Sequence, residues 1–386
     1  MKAVKIPGIL SLKPAGSTNM GFLKRLFYAL PGIAVACSWI TPARAEEVVK
    51  EPWYQLGKGV RLGDSGVWLG GYASLQVADL KDKPWSANLS DVSLFVGWQK
   101  GRWRFFSEFE LGDGLAVSNG QGLTTHQGYF DLERLYLDYL VDDAFKVRGG
   151  KFLTPIGRWN QIHADPLVWT TSKPLILYDV FARHVTGGMV YGNFEALDKL
   201  WSYAVYGGGG DQLDFVPTAD SSDDNFRDTA GARLYHESPG QIQFGLSYAH
   251  YYKLLGHTGE KDLLGCDFFW TRKRYEISGE FVYRFGTGSA NTALGEPPRH
   301  DLWGLYLQGV APLVGDLYAV LRYEAFRRER ASEPGNLGVA GLAYRPMPPL
   351  VFKAEYRFGN NFGLLPSSAN LGQFSEGFAA SVAVLF

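Results

Sequence analysis

Charged residues recur at every second position in several short segments of this chain. Arg102, Arg104, Glu108 and Glu110 alternate with Trp103, Phe105, Phe109 and Leu111. Arg274, Glu276, Glu280 and Arg284 alternate with Tyr275, Ile277, Phe281, Tyr283 and Phe285. Arg322 and Glu324 alternate with Leu321 and Tyr323; Lys353, Glu355 and Arg357 alternate with Phe352, Ala354, Tyr356 and Phe358. Period two separates the two faces of a β-strand, so each segment has an ionic face and an apolar face. With Arg134, Asp138, Lys146 and Arg148, the ionic faces hold ten cations and seven anions. Rows of this kind attract, repel and pair with ions, and they contain no nucleophile. Many of the cations have an acid nearby on the same face, so salt bridges across a wet interior are the expected arrangement. The small excess of cations makes a weak anion preference the expectation.

Other chemistry has little support. The seven histidines are His126, His163, His184, His236, His250, His257 and His300, and none lies in a G-x-S-x-G, H-E-x-x-H or Cys/His cluster. Neither an enzyme nor a metal or other cofactor is expected. A net charge of −1 gives no sign of nucleic-acid binding. Cys266 shares a face with Leu264, Phe268 and Trp270 and reads as a small apolar residue of an outer surface. The regular placement of Trp and Tyr on one strand face favours a lipid belt over sugar-stacking platforms.

Strands must position these faces. At the amino end, Lys24-Arg25, an apolar run to Cys37 and Ala43-Arg44-Ala45 form a signal peptide over 1–45, with Met20 the expected start. Residues 46–65 form a short periplasmic lead-in, and 66–386 form one domain. Sixteen strands are expected, with fourteen or eighteen left open by the Gly-rich 180–209, near 66–79, 88–99, 101–112, 128–142, 144–153, 180–193, 198–209, 226–237, 240–251, 261–272, 273–285, 300–310, 315–326, 335–345, 349–358 and 374–386. Short connections (100–101, 142–143, 238–239, 272–273, 346–349) tend to alternate with long ones (80–87, 113–127, 154–179, 210–225, 286–299, 359–373). That wiring belongs to a transmembrane antiparallel β-barrel with short periplasmic turns and long external loops. The Gly-rich segments 180–193 and 335–345 leave their faces unassigned. Charge on a lipid-facing midplane costs about 2–4 kcal/mol for Arg or Lys, so the ionic faces must point inward. Sixteen strands leave room for an aqueous channel, and what narrows the channel sets its selectivity.

The narrowing element is the third long connection, 154–179. It carries Ile156, Trp159, Ile162, Leu167, Val168, Trp169 and Leu175 to Tyr178, too many apolar groups for a solvated loop. Folded inward, it would present Arg158, Asn160, Gln161, His163, Asp165 and Lys173 to the constriction; the alternative is a loop that covers a neighbouring subunit.

Two stretches resemble known proteins. The last strand alternates Phe378, Ala380, Val382, Val384 and Phe386, and resembles the C-terminal signal of Gram-negative outer-membrane proteins, with Phe386 at closure. Gly150-Lys151-Phe152-Leu153-Thr154-Pro155-Ile156-Gly157 resembles the G-K-F-x-x-P-x-G element of porins of the phosphate-selective O/P type. That resemblance implies a sixteen-stranded homotrimer, Lys151 at the mouth of an inward third loop, and passive diffusion of small hydrophilic solutes or anions. It also implies contact with outer-membrane lipid and with the barrel-assembly machinery. Phosphate-selective members carry a dense ladder of arginines near the constriction; the mixed charges here depart from that pattern, so phosphate specificity is not expected. An outer-membrane enzyme and a structural barrel are the alternatives.

Overall fold

The computed structural model describes residues 53–386 except 126–127, 163, 179, 210–212, 214–225, 237–241, 254–258, 287–300, 330, 362–366, 369–371 and 374. The proposed signal peptide and residues 46–52 therefore lie outside the described residues.

Sixteen strands form one closed antiparallel barrel. They are β1 (Val67–Leu80), β2 (Ser86–Lys100), β3 (Trp103–Ser118), β4 (Tyr129–Leu140), β5 (Lys146–Leu153), β6 (His184–Ala196), β7 (Lys199–Gly209) and β8 (Phe226–His236). The second half comprises β9 (Gln243–Lys253), β10 (Gly259–Arg272), β11 (Tyr275–Phe285), β12 (Leu302–Pro312), β13 (Leu317–Arg327), β14 (Gly335–Met347), β15 (Leu350–Asn360) and β16 (Gly377–Leu385). Each strand pairs with its sequence neighbours, and β16 closes the ring by pairing with both β15 and β1. Closure leaves no free edge, which is the condition for a sheet to cross a bilayer.

The period-two alternation sorts the side chains. Leu246, Leu264, Leu307 and Leu321 are half exposed or more on the outer wall, with Phe352, Tyr356 and Phe378 beside them. Cys266 is exposed on the same outer surface. Bulky exposed apolar groups around the whole circumference form a surface for lipid. The Gly-rich strands also resolve: Gly149, Gly188, Gly207 and Ala230 are register partners across β5 to β8 and form a low stripe in the outer wall.

The first described residues and the C-terminal residue share the short-turn end. Gly71 and Phe386 exchange two backbone hydrogen bonds, 2.9 and 2.8 Å. Beside them a small hairpin, Tyr54–Gln55 against Gly59–Arg61, pairs Val60 with Leu69 and Arg61 with Trp68. The lead-in thus extends the wall past the C-terminal residue.

Several expectations need correction. β6 begins at His184 and not at 180, because Val180 to Arg183 still belong to the inward loop. Residues 81–85 make a short connection and not a long loop, since β2 starts at Ser86. β3 runs on to Ser118, and Gln121–Thr124 folds back on it. Arg102 was placed on the luminal face, but it occupies the exposed turn between β2 and β3. Arg274 likewise sits in the turn before β11, where its guanidinium covers the Tyr318 ring at 4.8 Å and Nε donates to the Tyr318 hydroxyl at 3.0 Å. Both residues follow the pattern of their strands, but the chain reverses one residue later than the pattern suggests.

Candidate pore and its internal loop

Residues 154–183 leave the end of β5 and fold into the barrel. Leu175, Ile176, Val180 and Phe181 are almost fully buried there, against Ala249, Leu263, Val282, Leu302, Phe326 and Leu337 of the wall. Burying such a side chain stabilises by about 1.5–3 kcal/mol. Small wall residues make the room: the space a Cβ on Gly304 would need is already met by Ile176 and Phe326.

Among its described residues the loop contains two single-turn 3-10 helices, Trp159–Gln161 and Leu175–Leu177, so most of its backbone groups need partners from elsewhere. The ionic faces supply them. Glu280 on β11 accepts from the N–H groups of Arg158 (3.0 Å) and Trp159 (2.6 Å). Glu324 on β13 accepts from Leu175 N–H at 2.6 Å, and Glu355 on β15 from Thr171 at 2.8 Å and Ser172 at 3.1 Å. Cations of β11, β13, β14 and β15 take the carbonyls. Arg345 donates to Pro166 O (2.8 Å) and Val168 O (2.9 Å), and Lys353 to Asp165 O and Thr170 O, both at 3.1 Å. Arg322 donates to Ser172 O at 2.9 Å and Arg284 to Val180 O at 3.0 Å. Carboxylates and guanidiniums of β11 to β15 therefore clamp the loop through its main chain.

The stretch from Gly150 to Gly157 forms the base of the loop. Gly150 and Gly157 have φ of 131° and 62°, conformations that favour glycine. At Gly157 a Cβ would collide with Glu280 Oε2, so the clamp needs glycine there twice over. Thr154 donates from N to Arg183 O (2.8 Å) and from Oγ1 to Ala182 O (2.6 Å). Asn160 Nδ2 donates to Thr154 O (2.8 Å) and Arg183 O (3.0 Å). Lys151 is buried and pairs with Asp131 at 3.4 Å.

The other expected residues fall into distinct groups. Arg158 lies over the Phe269 ring at 3.7 Å, so it rests on the wall. Asp165 and Lys173 face the β1–β3 wall. Burial alone would raise the Asp165 carboxyl, but Lys353 and Lys173 outweigh it and hold the group below its ordinary range. Burial alone would lower Lys173, but Asp91 foremost, with Glu110 and Asp165, holds it above its ordinary range. His163 lies outside the described residues. Near the short-turn end, Arg104 and Arg148 both pair with Asp138, at 2.6 and 2.7 Å, and Arg134 pairs with Glu108. Arg322 pairs with Glu324 at 2.7 Å and Arg357 with Glu355 at 2.9 Å.

These wall charges are far drier than an open lumen would leave them. Arg104, Glu108, Glu110, Arg134, Asp138, Arg148, Glu280, Arg322, Lys353 and Arg357 are all at most 7% exposed. The loop packs against the ionic wall and takes these charges out of solvent.

Sequence reasoning missed Asp91, Asp131, Glu133, Arg233, Asp267 and Arg345. The β3–β4 register shifts at Glu108/Phe109, opposite Glu133. That extra residue flips the parity of β4, so Asp131 and Arg134 both face inward. A similar shift between Leu89 and Asp91 hides Asp91 from a strict alternation. Arg233 and Asp267 pair at 2.8 Å, and each stands alone as a charge in its own strand centre.

Among the described residues, no group of three His, Cys, Asp or Glu is arranged to hold a metal ion. His184 pairs with Glu133, and His250 with Asp262 at 3.1 Å.

No family model matches the chain. An uncharacterized protein of Aquifex aeolicus is 28% identical over 158 residues, and the match spans 40% of this chain and 33% of that protein. The fold is similar to that of OmpT of Vibrio cholerae (TM-score 0.58, 12% identity, 84% of this chain and 99% of that one). It is also similar to OmpF of Salmonella typhi (0.58, 12%, 84% and 99%) and to an anion-selective porin from Comamonas acidovorans (0.55, 12%, 83% and 98%). The fold is thus that of outer-membrane porin barrels.

Proposed function

We propose that the chain is an outer-membrane porin, a narrow water-filled channel for passive diffusion of small hydrophilic solutes and ions. One observation carries this reading: a long, apolar loop is seated inside a closed sixteen-stranded barrel by charges of the wall. A sealed structural barrel has no need of an ionic inner face; a constricted channel has. The signal peptide and the apolar outer wall support residence in the outer membrane, with the short turns periplasmic and Phe386 read by the assembly machinery. A homotrimer is the expected assembly; an in-vitro folded OmpT of Vibrio cholerae is described in a trimer form.

The phosphate-porin resemblance has its support at the level of architecture. Lys151, the motif's own cation, is joined to Asp131, and the cations Arg322, Lys353 and Arg357 are joined to the loop or to acids. The excess of cations that suggested anion preference is therefore engaged in holding the loop. A second reading, a closed scaffold barrel, draws on the dryness of the inward charges.

Planar-bilayer recording of the refolded protein separates the two. Discrete, small conductance steps are the expected result. A folded, heat-modifiable barrel that gives no steps would replace the channel with the scaffold.

A further inference from the structure

At the short-turn end, away from the loop clamp, Arg104 and Arg148 share one carboxylate. Arg104 Nε donates to Asp138 Oδ2 at 2.9 Å, and one Nη2 donates to the same oxygen and to the Tyr191 hydroxyl, both at 2.6 Å. Arg148 Nε donates to the other oxygen, Oδ1, at 2.7 Å. Two guanidiniums on one carboxylate leave positive charge beyond what Asp138 neutralises. The remaining arm of Arg104, Nη1, has no partner among the described residues, although the side chain is only 9% exposed.

Arg104 lines a cavity of about 30 Å³ together with Lys58, Trp68, Gln99, Phe106 and Tyr136. The cavity has an aromatic side: Phe106 packs against Trp68 and Tyr136 with ring centroids 5.9 and 5.5 Å apart. The Trp68 indole lies on Gly97, where a Cβ would collide with it. Lys58 comes from the turn of the lead-in hairpin, so that hairpin closes part of the cavity. Trp68 Nε1 and the Gln99 side-chain amide, like Arg104 Nη1, have no partner in the protein among the described residues. The lining thus offers two cations and several donors, and it contains no carboxylate.

A buried guanidinium arm gains more from a charged acceptor than from a neutral one, since charge-assisted bonds are roughly twice as strong. Aromatic surroundings deepen the difference by excluding the water that would otherwise solvate it. The volume admits one or two particles the size of water, at about 10–15 Å³ each, which leaves no room for a tetrahedral oxyanion such as phosphate. We propose that this cavity binds a small monovalent anion, of the size of chloride, held by Arg104, Trp68 and Gln99 and faced by Lys58. The site stands on its own geometry and does not depend on whether the barrel conducts.

The test uses the full mature chain folded in detergent, with bromide and chloride as probes. Crystals grown in sodium bromide should show an anomalous peak in the cavity, within hydrogen-bond distance of Arg104 Nη1 and Trp68 Nε1. In solution, the thermal unfolding midpoint should rise when chloride replaces gluconate at fixed ionic strength, because a ligand that binds only the folded state stabilises it. Trp68→Phe keeps an aromatic ring on Gly97 and removes its donor. Lys58→Gln removes a charge from a turn and leaves the strand pairing alone. The rise should be smaller in Lys58→Gln and lost in the double variant. A cavity that holds only water in the bromide crystals would overturn the proposal. A bromide peak without a chloride-dependent rise in the intact protein would mean an adventitious ion only, and would overturn it as well. So would a rise of undiminished size in Lys58→Gln and in a double variant that remains heat-modifiable.

Discussion

Glu280 shows what one side chain does here. Its Oε1 accepts from two loop N–H groups and from the Tyr306 hydroxyl at 2.9 Å. Replacing it with alanine orphans those donors in a dry site, at about 1–3 kcal/mol for each unsatisfied group. Glu280→Ala should lower the thermal unfolding midpoint in detergent and make the loop susceptible to protease, while the strand content measured by circular dichroism stays. Gly157→Ala should act in the same direction, since the left-handed φ costs about 1–3 kcal/mol and the methyl meets Glu280. Unchanged midpoints in both would show that the clamp contributes nothing.

Two loop residues also give a pH dependence whose sign can be worked out. Asp165 is held below its ordinary range, so its contribution is present above the unfolded value, about 3.9, and is lost as pH falls through the lower folded value. Lys173 is held above its ordinary range, so its contribution is present below about 10.4 and is lost as pH rises through the higher folded value. The unfolding midpoint should be flat between these limits for this pair of groups. Asp165→Asn should remove part of the acid limb and leave the neutral plateau lower. An acid limb identical to that of the parent protein would remove Asp165 from the account.

At the scale of elements, the proposed channel should have its width set by the loop. Its apolar residues have no other surface to bury against, and its backbone has no ladder of its own. Deleting residues 165–172 should therefore open the bore, and single-channel conductance should rise at least about twofold if the loop is what narrows it. A conductance equal to that of the intact protein would place the constriction elsewhere. Much of this element was legible beforehand: length and apolar content alone pointed inward, and the loop lies inside. What the loop does with its polar residues was not legible. Arg158 and Asn160 read as constriction groups, but Arg158 rests on Phe269 and Asn160 ties the loop base. Both outcomes depend on contacts with strands more than a hundred residues away or with the loop's own far end, which no local pattern encodes.

For the molecule as a whole, the outer wall gives a clean test of the membrane reading. Cys266 points outward among Leu264, Phe268 and Trp270. In bilayers it should react with a lipid-soluble maleimide and resist a charged, membrane-impermeant one. Rapid labelling by the charged reagent in intact vesicles would contradict the orientation of β10.

The amino-acid sequence by itself determined the fold class and which face of several strands is apolar, and it favoured sixteen strands and an inward course of the third loop. Those features follow from period-two alternation, from turn residues and from the burial demand of a single segment, and each of these is local. Only the tertiary structure decided how the inward charges are shared. Asp91 and Asp131 enter the lumen because bulges shift the parity of their strands, Arg102 and Arg274 sit in turns because the chain reverses one residue later than expected, and Arg322, Arg345 and Lys353 are taken up by loop carbonyls. A count of charges on strand faces cannot foresee this, because a charge's effect depends on what it touches across the barrel.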